Sequence, residues 1–252
     1  MIEIFFLSVI QGVTEFLPVS SSSHLILISE YLDFKDQSLS IDISCHIGSF
    51  FAVLVYFRKD VYNFFENKVL FAKILVSSLP VLIVGFFLAE SGLIDNIRNL
   101  KIIAWTTIVF GILLYISDNF KIEKNLENNF TIKSAIFIGV FQVLSLIPGV
   151  SRSGISITAA RFLNFKRFDA VKISFLLSIP TLGAVSIFGL TNLISSKDFS
   201  FSLLNLISIF FSFIFSLITI NFFLKYIKKS NLYIFVVYRI SLGLLLLAVA
   251  YL

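Results

Sequence analysis

The chain has little of what soluble and secreted proteins are built from. It carries one cysteine, Cys45, so an internal disulfide is excluded and no thiolate metal pattern can be drawn. Only 14% of its 252 residues are charged, against 58% hydrophobic, and the mean hydropathy is +0.97. A soluble domain of this length could not hide so much apolar surface, so the composition predicts an integral membrane protein. The N-terminus has Glu3 in place of a basic n-region and lacks a small-residue cleavage site, and its first apolar stretch is read as mature protein rather than signal peptide. No strong charge of one sign is present. A net charge of +5 suits a membrane protein with Lys and Arg in its cytoplasmic loops and gives no reason to expect nucleic acid.

Apolar stretches at 41–57, 69–89, 102–117, 171–194, 203–224 and 232–252 bracket the ~20 residues needed to cross ~30 Å of hydrocarbon, which gives about six full spans. Two further apolar segments are interrupted. QGVTEFLPVSSSSH, residues 11–24, recurs in altered form as QVLSLIPGVSRSGI, residues 142–155. In constant register Gln11 matches Gln142, Val19 matches Val150, Ser20 matches Ser151 and Ser22 matches Ser153. The copies differ pointedly: Glu15 and His24 face Leu146 and Ile155, while Arg152 faces Ser21.

Each interrupted run contains proline and a hydroxyl cluster: Leu17-Pro18 with Ser20 to Ser23, and Pro148-Gly149 with Ser151, Ser153 and Gly154. Backbone freed by such a break is tolerated at membrane depth only where protein buries it or a wet cavity meets it, which predicts re-entrant helical hairpins facing a site. A hairpin returns to the side it entered and each is followed by three spans, so the second half should be inverted relative to the first. The expected fold is an all-α polytopic membrane protein with an inverted-topology repeat, about six transmembrane helices and two re-entrant hairpins. It forms one membrane domain over 1–252, with repeat one at about 1–117, a linker at about 118–130 and repeat two at about 131–252.

Loop charges agree with this topology. Arg58, Lys59 and Lys68, Lys121, Lys124 and Lys133, Arg161 to Lys172, and Lys225 to Lys229 share one side; the other has Lys35, Arg98, Lys101 and Lys197. Hairpin one is placed at the external face, hairpin two at the cytoplasmic face and the C-terminus outside. A true span in place of hairpin one would move the N-terminus and leave the loops unchanged.

An ionisable group within hydrocarbon costs at least ~2.5–3.5 kcal/mol on insertion scales, which marks Glu15, His24 and Arg152 as functional candidates. Gln11 and Glu15 are four apart and share a helical face, and the break at Pro18 lets Ser20 to His24 fold back towards it. Arg152 lies between Ser151 and Ser153, just before Gly154, Ser156 and Thr158 can start a helix. An arginine fork, serine hydroxyls and a helix N-terminus describe an oxyanion or phosphate site. The other half supplies what hydrolysis needs: a hydroxyl nucleophile, an imidazole, and a carboxylate to orient the imidazole, act as base or hold a divalent cation. Singly, each residue has a plainer reading as helix packing, a structural pair or snorkelling. Their coincidence in a duplicated frame singles out the site. His46 is read as a packing histidine, Lys73 as snorkelling and Arg239 as half of a structural pair.

At these residues the sequence resembles the bacterial undecaprenyl-diphosphate phosphatase family, of the bacitracin-resistance type, over essentially the whole chain. Its first motif reads here as Gln11, Glu15, Phe16-Leu17-Pro18-Val19-Ser20-Ser21 and His24; its second, PGxSRSG, as Pro148 to Gly154. Two positions depart from the family pattern: Ser23 stands for the usual glycine and Ser156 for threonine; Gln11 in place of glutamate is within the family's range and leaves Glu15 as the one negative charge for a metal. The resemblance implies removal of the terminal phosphate from undecaprenyl diphosphate, with Mg²⁺ or Ca²⁺, at the bacterial cytoplasmic (inner) membrane. It implies that Glu15 is the essential carboxylate and metal ligand, His24 the essential imidazole, and Ser21 or His24 the nucleophile. Arg152, Ser151 and Ser153 would clamp the diphosphate, with Gln11, Ser20 and Ser156 beside the substrate. The expected partners are the polyprenyl diphosphate lipid and the membrane, without nucleic acid; homo-oligomerisation is left open. The rival from another class is a lipid-phosphate transporter or flippase using the same arginine clamp, since inverted repeats with broken helices serve many carriers.

Overall fold

The computed structural model of the protein describes residues 1–31, 38–66, 68–92, 99–195 and 201–251. Lys35, Arg98 and Lys197, three of the cations assigned to the external side, lie outside the described residues. The described elements are helical: α1 (Ile2–Thr14), α2 (Ser21–Tyr31), α3 (Leu39–Tyr56), α4 (Arg58–Glu66), α5 (Lys68–Ser91), α6 (Leu100–Asp118), α7 (Leu126–Asn129), α8 (Ile132–Val143), α9 (Arg152–Phe162), α10 (Arg167–Ser195), α11 (Leu203–Ile227) and α12 (Tyr233–Tyr251). A 3₁₀ turn, Leu144–Leu146, follows α8.

Six of these, α3, α5, α6, α10, α11 and α12, have 18 to 29 residues and are apolar enough to cross a bilayer. The protein is therefore a multi-pass, all-α membrane protein. Phe86 and Phe87 on α5, and Phe210, Ile218 and Phe222 on α11, expose more than half of their surface, which only a lipid solvent makes favourable. The opposite face of α11 is small and polar. Ser212 Oγ donates to the Cys45 carbonyl at 2.6 Å, and Ser49 Oγ lies 3.1 Å from Ser212 Oγ and 3.0 Å from Ser216 Oγ. A Cβ on Gly48 would stand 2.4 Å from the Ile209 carbonyl oxygen. Small residues let these backbones approach, and the hydroxyls bond where no water is at hand. Packing thus accounts for these serines.

The helices interlock across the two halves. α1 packs on α11 and α8 packs on α5. α3 lies beside α11 and α10, and α6 pairs with α12. The last pair is antiparallel, since Lys101 Nζ sits 4.5 Å above the Tyr251 ring at one end and Tyr115 meets Tyr233 at the other.

The basic loops gather at that second end. Asp118 accepts from Arg167 Nε at 2.6 Å and from the Leu232 backbone N–H at 3.1 Å. The fully buried Arg161 donates to the carbonyls of Asp118, Phe120 and Phe165. Lys172 pairs with Asp60 at 2.7 Å. Four of the loop segments that charge asymmetry placed on one side therefore touch one another. α8 starts from this end, and α9 comes back to it: Phe162 packs on Phe120, and Phe165 on Phe130. For the first broken element, the segment after α2 lies outside the described residues.

Candidate active site

Both helix breaks have identifiable chemical causes. Pro18 has no N–H to continue α1. Gly149 takes a φ of +93°, and a Cβ there would stand 2.0 Å from Thr106 Oγ1, which itself donates to the Pro148 carbonyl at 2.6 Å. After each break one serine adopts a left-handed backbone: Ser20 with φ 74° and Ser151 with φ 73°. These are matched positions of the two sequence copies. A non-glycine residue held there costs about 1–3 kcal/mol and persists only when its surroundings demand it. Ser151 Oγ accepts from the Gly154 N–H at 3.1 Å and caps α9; Ser20 Oγ lies 2.9 Å from Ser23 Oγ.

The two turns are fastened to each other. Ser153 Oγ donates to the Leu17 carbonyl at 2.7 Å. Arg239, fully buried on α12, donates to the carbonyls of Pro18 (3.2 Å), Val150 (3.1 Å), Gly149 (2.8 Å) and Thr107 (3.2 Å). The structural-pair reading of Arg239 is thereby corrected: its partners are backbone carbonyls from both breaks. A planar fork can satisfy several carbonyls that Pro18 and Gly149 leave outside any helix.

At the end of α1, Glu15 meets the cation of the other half. Its Oε1 accepts from Arg152 Nη2 at 2.8 Å; its Oε2 accepts from Ser21 Oγ at 2.8 Å and from Gln11 Nε2 at 2.9 Å. Arg152 Nη1 donates to the Ser174 carbonyl on α10 at 3.2 Å. Glu15 is 7% exposed, enough shielding for its charge to require these donors. Gln11 Nε2 also reaches His46 Nδ1 at 2.9 Å, and that nitrogen is 3.9 Å from Glu15 Oε2. His46 is thus part of the site rather than a packing histidine. Being ionisable within a span was a signal available in the sequence; which face of α3 it occupies was not.

His24 stands apart from this network. Its Nδ1 donates to the Ser20 carbonyl at 2.7 Å, which leaves Nε2 to accept from the Tyr238 hydroxyl, and the two rings are 7° from parallel. Tyr238, beside Arg239, is a site residue that sequence reading did not single out. Ser156 also lies elsewhere: it is fully buried and donates to Gln142 Oε1 at 3.2 Å, so it belongs to the Gln142 side of the repeat. The structure brings Gln11, Glu15, Ser21 and Arg152 together, uses Ser20, Ser151 and Ser153 to shape the turns, and holds His24 on Tyr238.

No group of three or more His, Cys, Asp or Glu side chains able to hold a metal occurs among the described residues. Gln11 Oε1, however, is buried without a hydrogen-bond partner beside Glu15. A carboxylate and an amide oxygen are hard donors that fit a divalent cation completing its shell with phosphate oxygens and water.

An acid and hydroxyl from one half, an arginine from the other, and the two helix breaks beside them describe a polytopic membrane protein with a buried polar cluster. The chain belongs to the family described as "Bacitracin resistance protein BacA", whose pattern matches residues 4–245. It is 46% identical over 252 residues to a Pelagibacter ubique protein named undecaprenyl-diphosphatase, covering 100% of this chain and 98% of the relative. Proteins of the same name from Alteromonas mediterranea and a Jannaschia species are 40% and 35% identical, with 97% and 98% of their lengths covered.

Proposed function

We propose that the protein hydrolyses undecaprenyl diphosphate to undecaprenyl phosphate and inorganic phosphate, returning the lipid carrier to cell-wall glycan synthesis. The contact that carries this reading is Ser21 Oγ donating to Glu15 Oε2 while Arg152 holds the other oxygen of the same carboxylate. A nucleophile, its base and a phosphate-binding cation share one site. A site that merely binds a phosphate lipid would have no use for a carboxylate among its ligands, and the transporter reading is disfavoured for that reason.

In the proposed course, the diphosphate draws Arg152 from Glu15, and the amides at the start of α9 share its charge. Ser21 Oγ attacks the outer phosphorus as Glu15 takes its proton, the bond to the bridging oxygen breaks, and the prenyl monophosphate leaves with the electron pair. Water then cleaves the phosphoserine to inorganic phosphate. His24, one turn along α2 from Ser21, would reach the leaving oxygens only by releasing its Nε2 from the Tyr238 hydroxyl, and then passes a proton to or from them. Glu15 and Gln11 Oε1 would hold Mg²⁺ or Ca²⁺, which when bound neutralises charge on the diphosphate. The return of α9 to the end from which α8 starts supports a re-entrant second hairpin, and the cross-packing of α1 on α11 and α8 on α5 supports the inverted repeat. The expected location is the bacterial inner membrane.

The test is phosphate release from undecaprenyl diphosphate in detergent, with and without EDTA, by wild type, Glu15→Gln, Ser21→Ala, His24→Ala and Arg152→Ala. Acid quenching of turnover with labelled substrate should trap phosphoserine. Folded wild-type protein that binds the lipid yet releases no phosphate, with or without divalent cations, would overturn the enzyme reading. An acid-labile phosphohistidine would move the nucleophile to His24.

A further inference from the structure

Away from the Glu15 network, the basic end of the bundle carries a second constellation that the reaction does not use. Two adjoining cavities of about 340 and 450 Å³ open there. Arg58, Lys59, Lys172, Lys225 and Lys228 line the first. Lys166, Arg167, Lys228 and Lys229 line the second. Phe168 and Lys228 belong to both, with Lys228 Nζ 4.9 Å above the Phe168 ring, so the two form one trough with a shared ridge. The one carboxylate in either lining is Asp60, already paired with Lys172, and of the other lining cations Arg167 is paired with Asp118.

Depth and composition identify the occupant. The first cavity is walled by the last residues of α3 and α11 and the first turns of α10, three membrane spans that end or begin at this level. Tyr56, Phe57 and Leu224 supply an apolar wall. A cationic basin whose wall continues into lipid-facing helices matches an amphiphile with a phosphate head, and basic pockets between helices on the cytoplasmic side are suited to anionic headgroups. Charge asymmetry alone would scatter these cations along separate loops. Tertiary structure draws them from the α3–α4 junction, the start of α10 and the end of α11 into one trough.

We propose that this trough is a binding site for an anionic phospholipid, and that its two lobes favour a lipid carrying two phosphodiesters. The shared chemistry is a phosphate anion, so free phosphate is the other source to be tested.

The full-length protein, purified in neutral detergent, would be analysed by native mass spectrometry and thermal unfolding with tetraoleoyl cardiolipin, dioleoyl phosphatidylglycerol, dioleoyl phosphatidylcholine or inorganic phosphate alone. Expected retention follows the order cardiolipin, phosphatidylglycerol, phosphatidylcholine, with at least tenfold between first and last. Lys225→Gln/Lys228→Gln should lose that preference at unchanged fold and phosphatase turnover, and Lys101→Gln, at the opposite end of α6, should keep it. Should the double variant unfold, Lys59→Gln/Lys229→Gln makes the same test with one cation from each lobe. Equal retention of the three lipids, or an unchanged preference in a folded double variant, would overturn the proposal. Stabilisation by inorganic phosphate equal to that by cardiolipin would overturn it in favour of a free-phosphate site.

Discussion

Arg152 Nη2 and Glu15 Oε1 lie 2.8 Å apart, joined across 137 residues of chain. Each is the ionisable residue that the other copy of the repeat lacks. The cation and the carboxylate neutralise each other while no substrate is bound, which removes much of the cost of keeping both inside a membrane. A diphosphate carries enough charge to compete for the arginine, and the carboxylate it displaces is already bonded to a hydroxyl.

Exchange at this pair separates stability from chemistry. Glu15→Gln should lower turnover by about 10²–10⁴-fold through loss of a base. Arg152→Met should cost about 3–5 kcal/mol by stranding the carboxylate. The double variant Glu15→Gln/Arg152→Met should unfold at a higher temperature than Arg152→Met alone and remain inactive. Thermal unfolding in detergent beside a phosphate-release assay reads both.

The left-handed serines make an opposite forecast. Ser20→Gly should remove backbone strain and leave the fold at least as stable, while Ser20→Val should destabilise it by about 1–3 kcal/mol. A melting temperature that falls equally in both variants would show that the Ser20 hydroxyl, rather than its φ, decides the turn.

Gly149→Ala should be severe. Its φ is +93° and its new Cβ would meet Thr106 Oγ1 and the Ile103 carbonyl. Loss of monodisperse protein on size exclusion is expected, with partial recovery in Gly149→Ala/Thr106→Ala, which removes the clashing Oγ1 together with its bond to the Pro148 carbonyl.

Arg239→Met leaves the carbonyls of Pro18, Gly149, Val150 and Thr107 without this donor, at about 1–3 kcal/mol for each that stays buried and unpaired. Turnover should fall along with protease resistance at both turns, and Arg239→Lys should recover only part of each, because an ammonium cannot span the same carbonyls.

Asp118→Asn provides the contrast. Its carboxylate serves Arg161, Arg167 and the Leu232 N–H far from the breaks in sequence. Unfolding temperature should drop while turnover per folded molecule is unchanged.

Composition and pattern determined the membrane class, the number of spans, the side on which loops carry cations and the two places where helices break. Hydropathy over ~20 residues, loop charge, and proline with glycine act locally, so they can be read without coordinates. Glu15, His24 and Arg152 stood out because an ionisable group in hydrocarbon needs a reason. Partner choice was decided only by tertiary structure. Which of the expected groups Glu15 would hold, that His24 turns to Tyr238, that His46 joins Gln11 and that Arg239 ties both breaks all depend on helix rotation and depth. Those are set by packing between distant segments such as Gly48 on Ile209 and Gly139 on Ser77. A sequence shows that a residue lies in a span; the face it turns inward is fixed by the neighbours it packs against.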